Sequence, residues 1–118
     1  MIDLPGNGKY QWLPILYEIV RTLEPKKIVE LGTGKGTTTI TMALAIKECQ
    51  IECSINSYDM WEDVYWGSYH NTLDNFKRWD VLEYINLYKK DFYDWIKTGE
   101  DFDFLYFDID NNGNNLLE

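Results

Sequence analysis

At 118 residues the chain has room for one domain and is too short for a two-domain enzyme. Hydrophobic residues make up 45%, aromatics 16% and charged residues 26%, a composition that excludes disordered and fibrous classes. Eleven Lys and Arg against twenty Asp and Glu give a net charge of −9, the wrong sign for attracting phosphate backbones, so nucleic acid is not an expected partner.

Trp12, Ile15, Leu16, Ile19, Val20 and Leu23 recur at three- and four-residue spacings, the apolar face of an amphipathic helix with Pro14 in its first turn. Glu24-Pro25 stops that helix, because a residue before proline is pushed out of the α region. Ile28 to Leu31 then reads as a strand flowing into the glycine turn Gly32-Thr33-Gly34-Lys35-Gly36, and Thr37 to Lys47 as a helix. Ile51 to Tyr58 predicts a second strand ending at Asp59. A polar and aromatic loop, Met60 to Ser68, leads into a helix from Tyr69 to Trp79. Ile85 to Tyr88 predicts a third strand closing on Lys89-Lys90-Asp91, Phe92 to Lys97 a short helix, and Phe102 to Phe107 a buried fourth strand ending on Asp108. This repeating βα order predicts an α/β, Rossmann-like three-layer sandwich around a parallel sheet.

No stretch reaches the roughly 18 apolar residues of a membrane-spanning helix, and the N-terminus lacks a signal-peptide pattern, so a cytoplasmic chain without membrane contact is expected. Cys49 and Cys53 have no second pair and no histidines at zinc spacing, and are expected to be buried free thiols.

Three nucleotide-binding readings compete for the glycine turn. A P-loop ending in Gly34-Lys35 needs its first glycine at position 29, which is Val. A dinucleotide fingerprint needs Gly-x-Gly-x-x-Gly, whereas the third glycine here arrives one residue early. Glu30, following Ile-Val in a buried strand, is costly unless something pairs with it.

The string Val29-Glu30-Leu31-Gly32-Thr33-Gly34-Lys35-Gly36 resembles motif I of class I S-adenosylmethionine-dependent methyltransferases, in which an acid precedes Gly-x-Gly-x-Gly. The resemblance implies cofactor-binding roles for Glu30, Gly32, Thr33, Gly34 and Gly36, with the glycines letting the backbone approach the methionine and ribose portions. It also implies that Asp59 accepts the ribose hydroxyls, that Met60 or Trp61 lies along the adenine, and that Asp91-Phe92 meets the adenine amino group and ring. Asp59 and Asp91 also admit a lesser reading as turn formers or helix caps, and Trp61 and Trp66 one as loop packing.

Phe102 to Asp110 resembles the corresponding run of the macrocin O-methyltransferase and cephalosporin-hydroxylase-like group, in which an Asp-x-Asp pattern is followed by His; here Asn111 stands in that place. Asp108 is the first candidate for the catalytic base, and Asp108 with Asp110 for a Mg²⁺ pair. An Asp-Asn turn capping a further helix is the competing reading. His70 reads as a surface residue more readily than as a base.

The family sheet has seven strands, of which this chain supplies counterparts of the first four, in the expected order 3-2-1-4. Residues 1–118 are thus expected to be a single, incomplete cofactor-binding domain, inactive alone: a fragment, or a chain completed by a partner, with an exposed sheet edge inviting a homo-oligomer. The implied activity of the complete enzyme is methyl transfer from S-adenosylmethionine to a small-molecule acceptor, through an oxygen nucleophile. A nonenzymatic S-adenosylmethionine-binding module, and a hydroxylase-like or NAD-dependent enzyme on the same fold, are the alternatives.

Overall fold

A computed structural model describes residues 13–62 and 67–108. Trp12, Trp66, Asp110, Asn111 and the expected further helix lie outside the described residues. Helix α1 (Leu13–Leu23) leads to strand β1 (Lys27–Leu31), followed by α2 (Thr37–Glu48), β2 (Ser54–Asp59), α3 (Tyr69–Arg78), β3 (Ile85–Lys89), α4 (Phe92–Ile96) and β4 (Phe104–Phe107). The four strands form one parallel sheet in the order β3-β2-β1-β4, as the alternation of strands and helices predicts.

Strand alternation divides the core between two faces. Ile28, Ile55 and Ile85 point to one face, where they meet Leu13, Leu16 and Val20 of α1, Ile40, Met42 and Ile46 of α2, and Phe76 of α3. Val29, Leu31 and Tyr58 point to the other and meet Trp95 and Phe92 of α4. Among the described residues the result is three layers, with α1 to α3 on one face and the short helix α4 on the other.

Three boundaries depart from the sequence expectation, each for a local reason. The expected strand from Ile51 begins only at Ser54, because the Ile51 amide still donates to the Ile46 carbonyl and closes the end of α2 (2.9 Å). The fourth strand begins at Phe104 rather than Phe102. Asp103 turns its carboxylate back onto the amides of Lys26 (2.8 Å) and Lys27 (2.7 Å), fastening the start of β4 to the start of β1. A 3-10 turn at Leu82–Tyr84 precedes β3 and was not expected, since three residues carry no period to read.

The apolar residues of α1 also split differently. Leu13, Leu16 and Val20 are buried, while Ile15, Ile19 and Leu23 are exposed and, with Pro14, Glu18 and Thr22, line a shallow depression. Glu24 ends the helix in the left-handed region (φ 47°), immediately before Pro25.

The α4 face is held by one carboxylate. Glu100 accepts from Tyr58 Oη (2.7 Å), Trp95 Nε1 (2.7 Å) and Asn56 Nδ2 (2.5 Å), and Lys27 Nζ lies at 3.3 Å. Burial pushes its pKa up, but these donors outweigh that and hold it below the ordinary carboxylate value. Beyond Glu100 this face is thinly covered, and Leu105 and Phe107 on β4 are 37% and 43% exposed. Among the described residues, β4 pairs only with β1, and no described strand pairs with its outer edge.

Candidate functional site

The strand order reverses between β1 and β4, and ligands of open α/β sheets bind beyond the carboxyl ends of strands at such a point. Leu31, Asp59 and Phe107 end β1, β2 and β4, and the glycine turn springs from the first of them. Gly32, Gly34 and Gly36 all have positive φ (105°, 57° and 92°), which accounts for glycine at each position without reference to a ligand. The turn is anchored by Gly32 N to the Tyr58 carbonyl (2.8 Å) and by Gly36 N to the Thr33 carbonyl (3.0 Å).

Gly36 has a further reason to be glycine. A Cβ placed there would stand 2.5 Å from Phe76 Cε1 and 3.2 Å from Thr72 Cγ2, so its immediate job is to let α3 pack against the start of α2. The implied close approach to a cofactor is not what fills that space. Gly36 also begins α2 without supplying a side-chain cap, so the helix dipole faces the crevice with no residue's own acceptor at the cap position.

Asp59 is the hinge of the site. Its Oδ2 accepts from the Gly34 amide (2.8 Å) and its Oδ1 from the Trp61 amide (2.8 Å), tying the end of β2 to the glycine turn. A carboxylate offers about four lone-pair positions, so two backbone bonds leave capacity for ribose hydroxyls. Trp61, held at φ 50°, donates its indole N–H to the Gly34 carbonyl (2.9 Å), which also accepts from Thr72 Oγ1 (2.6 Å). Asn75 Nδ2 reaches the Lys35 carbonyl (3.0 Å). Met60 is half-buried beside them. Sequence reasoning missed Thr72 and Asn75, whose roles depend on how α3 docks.

Glu30 sits beneath the turn, not in the crevice. It is 0% exposed, and its oxygens accept from the hydroxyls of Thr38 and Thr39 on α2 and from Ser57 Oγ on β2 (2.6 Å). Those hydroxyls are the pairing that a buried acid requires. A buried Glu30 accords with a cofactor contact made through water or through neighbouring groups. Thr33 likewise turns its hydroxyl inward, onto Ser57 Oγ (2.6 Å).

Burial pushes Glu30 up to about 7, the three hydroxyl donors partly oppose it, and the Asp59 charge adds to it. A carboxyl whose folded pKa is raised contributes stability below its ordinary value of 4.5, and that contribution is lost as pH rises through about 7. Glu30→Gln, which cannot ionise, is therefore expected to gain about 2–3 kcal/mol relative to the parent between pH 5 and pH 8. Urea denaturation of both proteins at the two pH values measures that difference; a constant difference would mean Glu30 titrates in its ordinary range.

Asp91 caps α4, its Oδ1 accepting from the Asp94 amide (2.7 Å), and Phe92 packs edge-on against Phe107 with ring centroids 5.2 Å apart. Both lie at the carboxyl end of β3, where the resemblance puts them, already engaged structurally. Asp108 stands at the end of β4, its amide bonded to the Leu31 carbonyl (2.8 Å), with its pKa raised by burial. Among the described residues no three His, Cys, Asp or Glu side chains converge as metal ligands. His70 is exposed in the first turn of α3, its ring edge-on to Tyr69. Cys49 and Cys53 are free but half-buried rather than fully enclosed, and burial raises the Cys53 thiol to about 11. No described helix is long and apolar enough to cross a membrane.

No protein-family model matches this sequence, and no curated protein matches it. Solved structures do. A putative O-methyltransferase of Klebsiella pneumoniae superposes with a TM-score of 0.69 at 23% identity, over 92% of this chain and 46% of its own. The Bacillus cereus O-methyltransferase in complex with SAH gives 0.69 at 19% identity, over 89% and 47%. TomG of Streptomyces achromogenes, an O-methyltransferase of tomaymycin synthesis in complex with SAM, gives 0.67 at 18% identity, over 81% and 42%. The fold is the Rossmann-like fold of these methyltransferases. The chain spans about half the length of each of them.

Proposed function

We propose that this chain is the S-adenosylmethionine-binding half of an O-methyltransferase acting on a small molecule. The observation that carries the reading is the junction of Asp59 with the Gly34 amide at the carboxyl edge of the sheet, on a fold whose solved neighbours include SAM- and SAH-bound methyltransferases. The residues present suit that ligand. Asp59 keeps acceptor capacity for ribose hydroxyls, the uncapped start of α2 faces an amino-acid carboxylate, and Trp61 and Phe92 offer apolar surface to a purine.

When bound, S-adenosylmethionine supplies a methyl group on a sulfonium, open to in-line attack by a nucleophile. The protein's share is alignment and proton removal. Asp108, at the end of β4 and with its pKa raised by burial, is the group proposed to take the proton from an acceptor hydroxyl. Asp110, its companion in the expected Mg²⁺ pair, lies outside the described residues, and no step here depends on a metal. That no described strand pairs with the outer edge of β4 supports completion of the sheet by further strands, from the same polypeptide or a second copy.

Calorimetric titration of the purified chain with S-adenosylmethionine, S-adenosylhomocysteine, NAD and ATP tests the reading. Selective binding of the first two supports it. Preference for NAD or ATP replaces it with another enzyme on the same fold, and tight binding without turnover of any acceptor by the complete protein favours a nonenzymatic binding module.

A further inference from the structure

Beneath the glycine turn, the Glu30 carboxylate and the Thr33 hydroxyl are joined by a single side chain, Ser57, with both links at 2.6 Å. All three residues are buried. A hydroxyl has one proton to donate and can accept from others. While Glu30 is ionised it can only accept, so Ser57 must donate to it, and the proton in the Thr33–Ser57 bond must then come from Thr33.

We propose that Glu30 is the positioning residue of the glycine turn, acting through a Glu30–Ser57–Thr33 hydroxyl relay whose direction is set by the charge on Glu30. A proton gained at Glu30 converts one carboxylate oxygen to a donor. Donation to Ser57 turns the Ser57 hydrogen onto Thr33, so the Thr33–Ser57 bond survives reversed and the Thr33 hydrogen is released. The reversal sacrifices no bond within the chain, unlike displacement of Thr38 or Thr39, which have their hydroxyls committed to Glu30 alone among the bonds described.

The titratable side chains on the elements packed around Glu30 are few. Asp59 at the end of β2 opposes its ionisation, Tyr106 is its register partner on β4, and Lys35 lies in the turn. The packed faces of α1 and α3 present Leu16, Val20, Thr72 and Phe76. A ligand ammonium group beside the turn favours the ionised acid, so ligand affinity falls on acidification. That consequence rests on the methyltransferase reading; the relay itself rests on the hydrogen bonds.

The test is a pH titration of the backbone amide resonances of the full chain, followed by S-adenosylhomocysteine titrations at pH 6 and pH 8. In the parent protein the amides of Thr33 and Gly34 are expected to shift with a common midpoint near pH 7, together with those of Thr38 and Thr39. Glu30→Gln abolishes the transition throughout. Ser57→Ala, a small change that leaves Glu30 two hydroxyl donors, keeps it at Thr38 and Thr39 and removes it from Thr33 and Gly34. An unmoved turn in the parent, or a Thr33 transition that survives in either variant, overturns the relay. With the relay intact, S-adenosylhomocysteine should bind several-fold more weakly at pH 6 than at pH 8 in the parent, and with a smaller ratio in Glu30→Gln, where position 30 no longer titrates. A normal resonance titration with no S-adenosylhomocysteine binding at either pH supports the relay and removes the proposed ligand.

Discussion

Gly36→Ala is expected to destabilise the chain by about 2–5 kcal/mol, a large fraction of the stability of a domain of this size. Two costs combine. A non-glycine residue at φ 92° is strained by roughly 1–2 kcal/mol. The new methyl would also stand 2.5 Å from the Phe76 ring, buried and closely packed, and overpacking of that kind costs about 1–3 kcal/mol. The contributions can be separated, because Phe76→Leu in the same chain should recover part of the steric loss and none of the backbone strain. Urea denaturation of the single and double variants measures both; additive losses would show that the contact with Phe76 is not what excludes a side chain from position 36.

Asp59→Ala should weaken S-adenosylhomocysteine binding by about 10- to 100-fold, since it removes the charged acceptor proposed for the ribose. The same change leaves the Gly34 and Trp61 amides without their carboxylate, so stability should fall by roughly 1–3 kcal/mol even without ligand. Asp59→Asn, keeping one oxygen, should lie between. Removing this charge should also lower the Glu30 pKa slightly, because burial is the main cause of its elevation and the Asp59 charge adds a smaller push in the same direction. Unchanged affinity alongside lost stability would reduce Asp59 to a fastener of the turn, and unchanged stability would contradict the two amide bonds themselves.

How much of this was legible in the sequence depended on whether a feature is local. The βα alternation, the glycine turn and the position of Asp59 at the end of β2 are all carried by short strings, and each lies where its string predicts. Glu30 was recognisable as an acid that must be paired, but its donors were not, because Ser57, Thr38 and Thr39 meet it only through strand register and the docking of α2. A hydroxyl two places after Ile55, on the same face of β2, together with a run of three threonines opening a buried helix, was the signal available. Gly36 was read for its ligand, whereas its tightest constraint is a phenylalanine forty residues away, which no local pattern reports. The split of α1 into buried and exposed apolar faces was hidden for a related reason: Ile15 and Leu16 are equally apolar, and only packing chooses between them.

The Asp103 clamp on Lys26 and Lys27 bears on the order of assembly. It joins positions 77 and 76 residues apart, and the whole β1–β4 pairing shares that long separation. The pairing of β1 with β2 closes a much shorter stretch of chain. During synthesis from the N-terminus, β1 can find β2 and dock α2 while β4 has yet to emerge, leaving the future centre of the sheet as a temporary edge. Closing the larger loop comes last and slowest, as for long-range parallel contacts generally. A nascent chain paused before Phe102 would therefore expose the backbone of β1, making the arrival of Asp103 the event that protects the strand from which the glycine turn emerges.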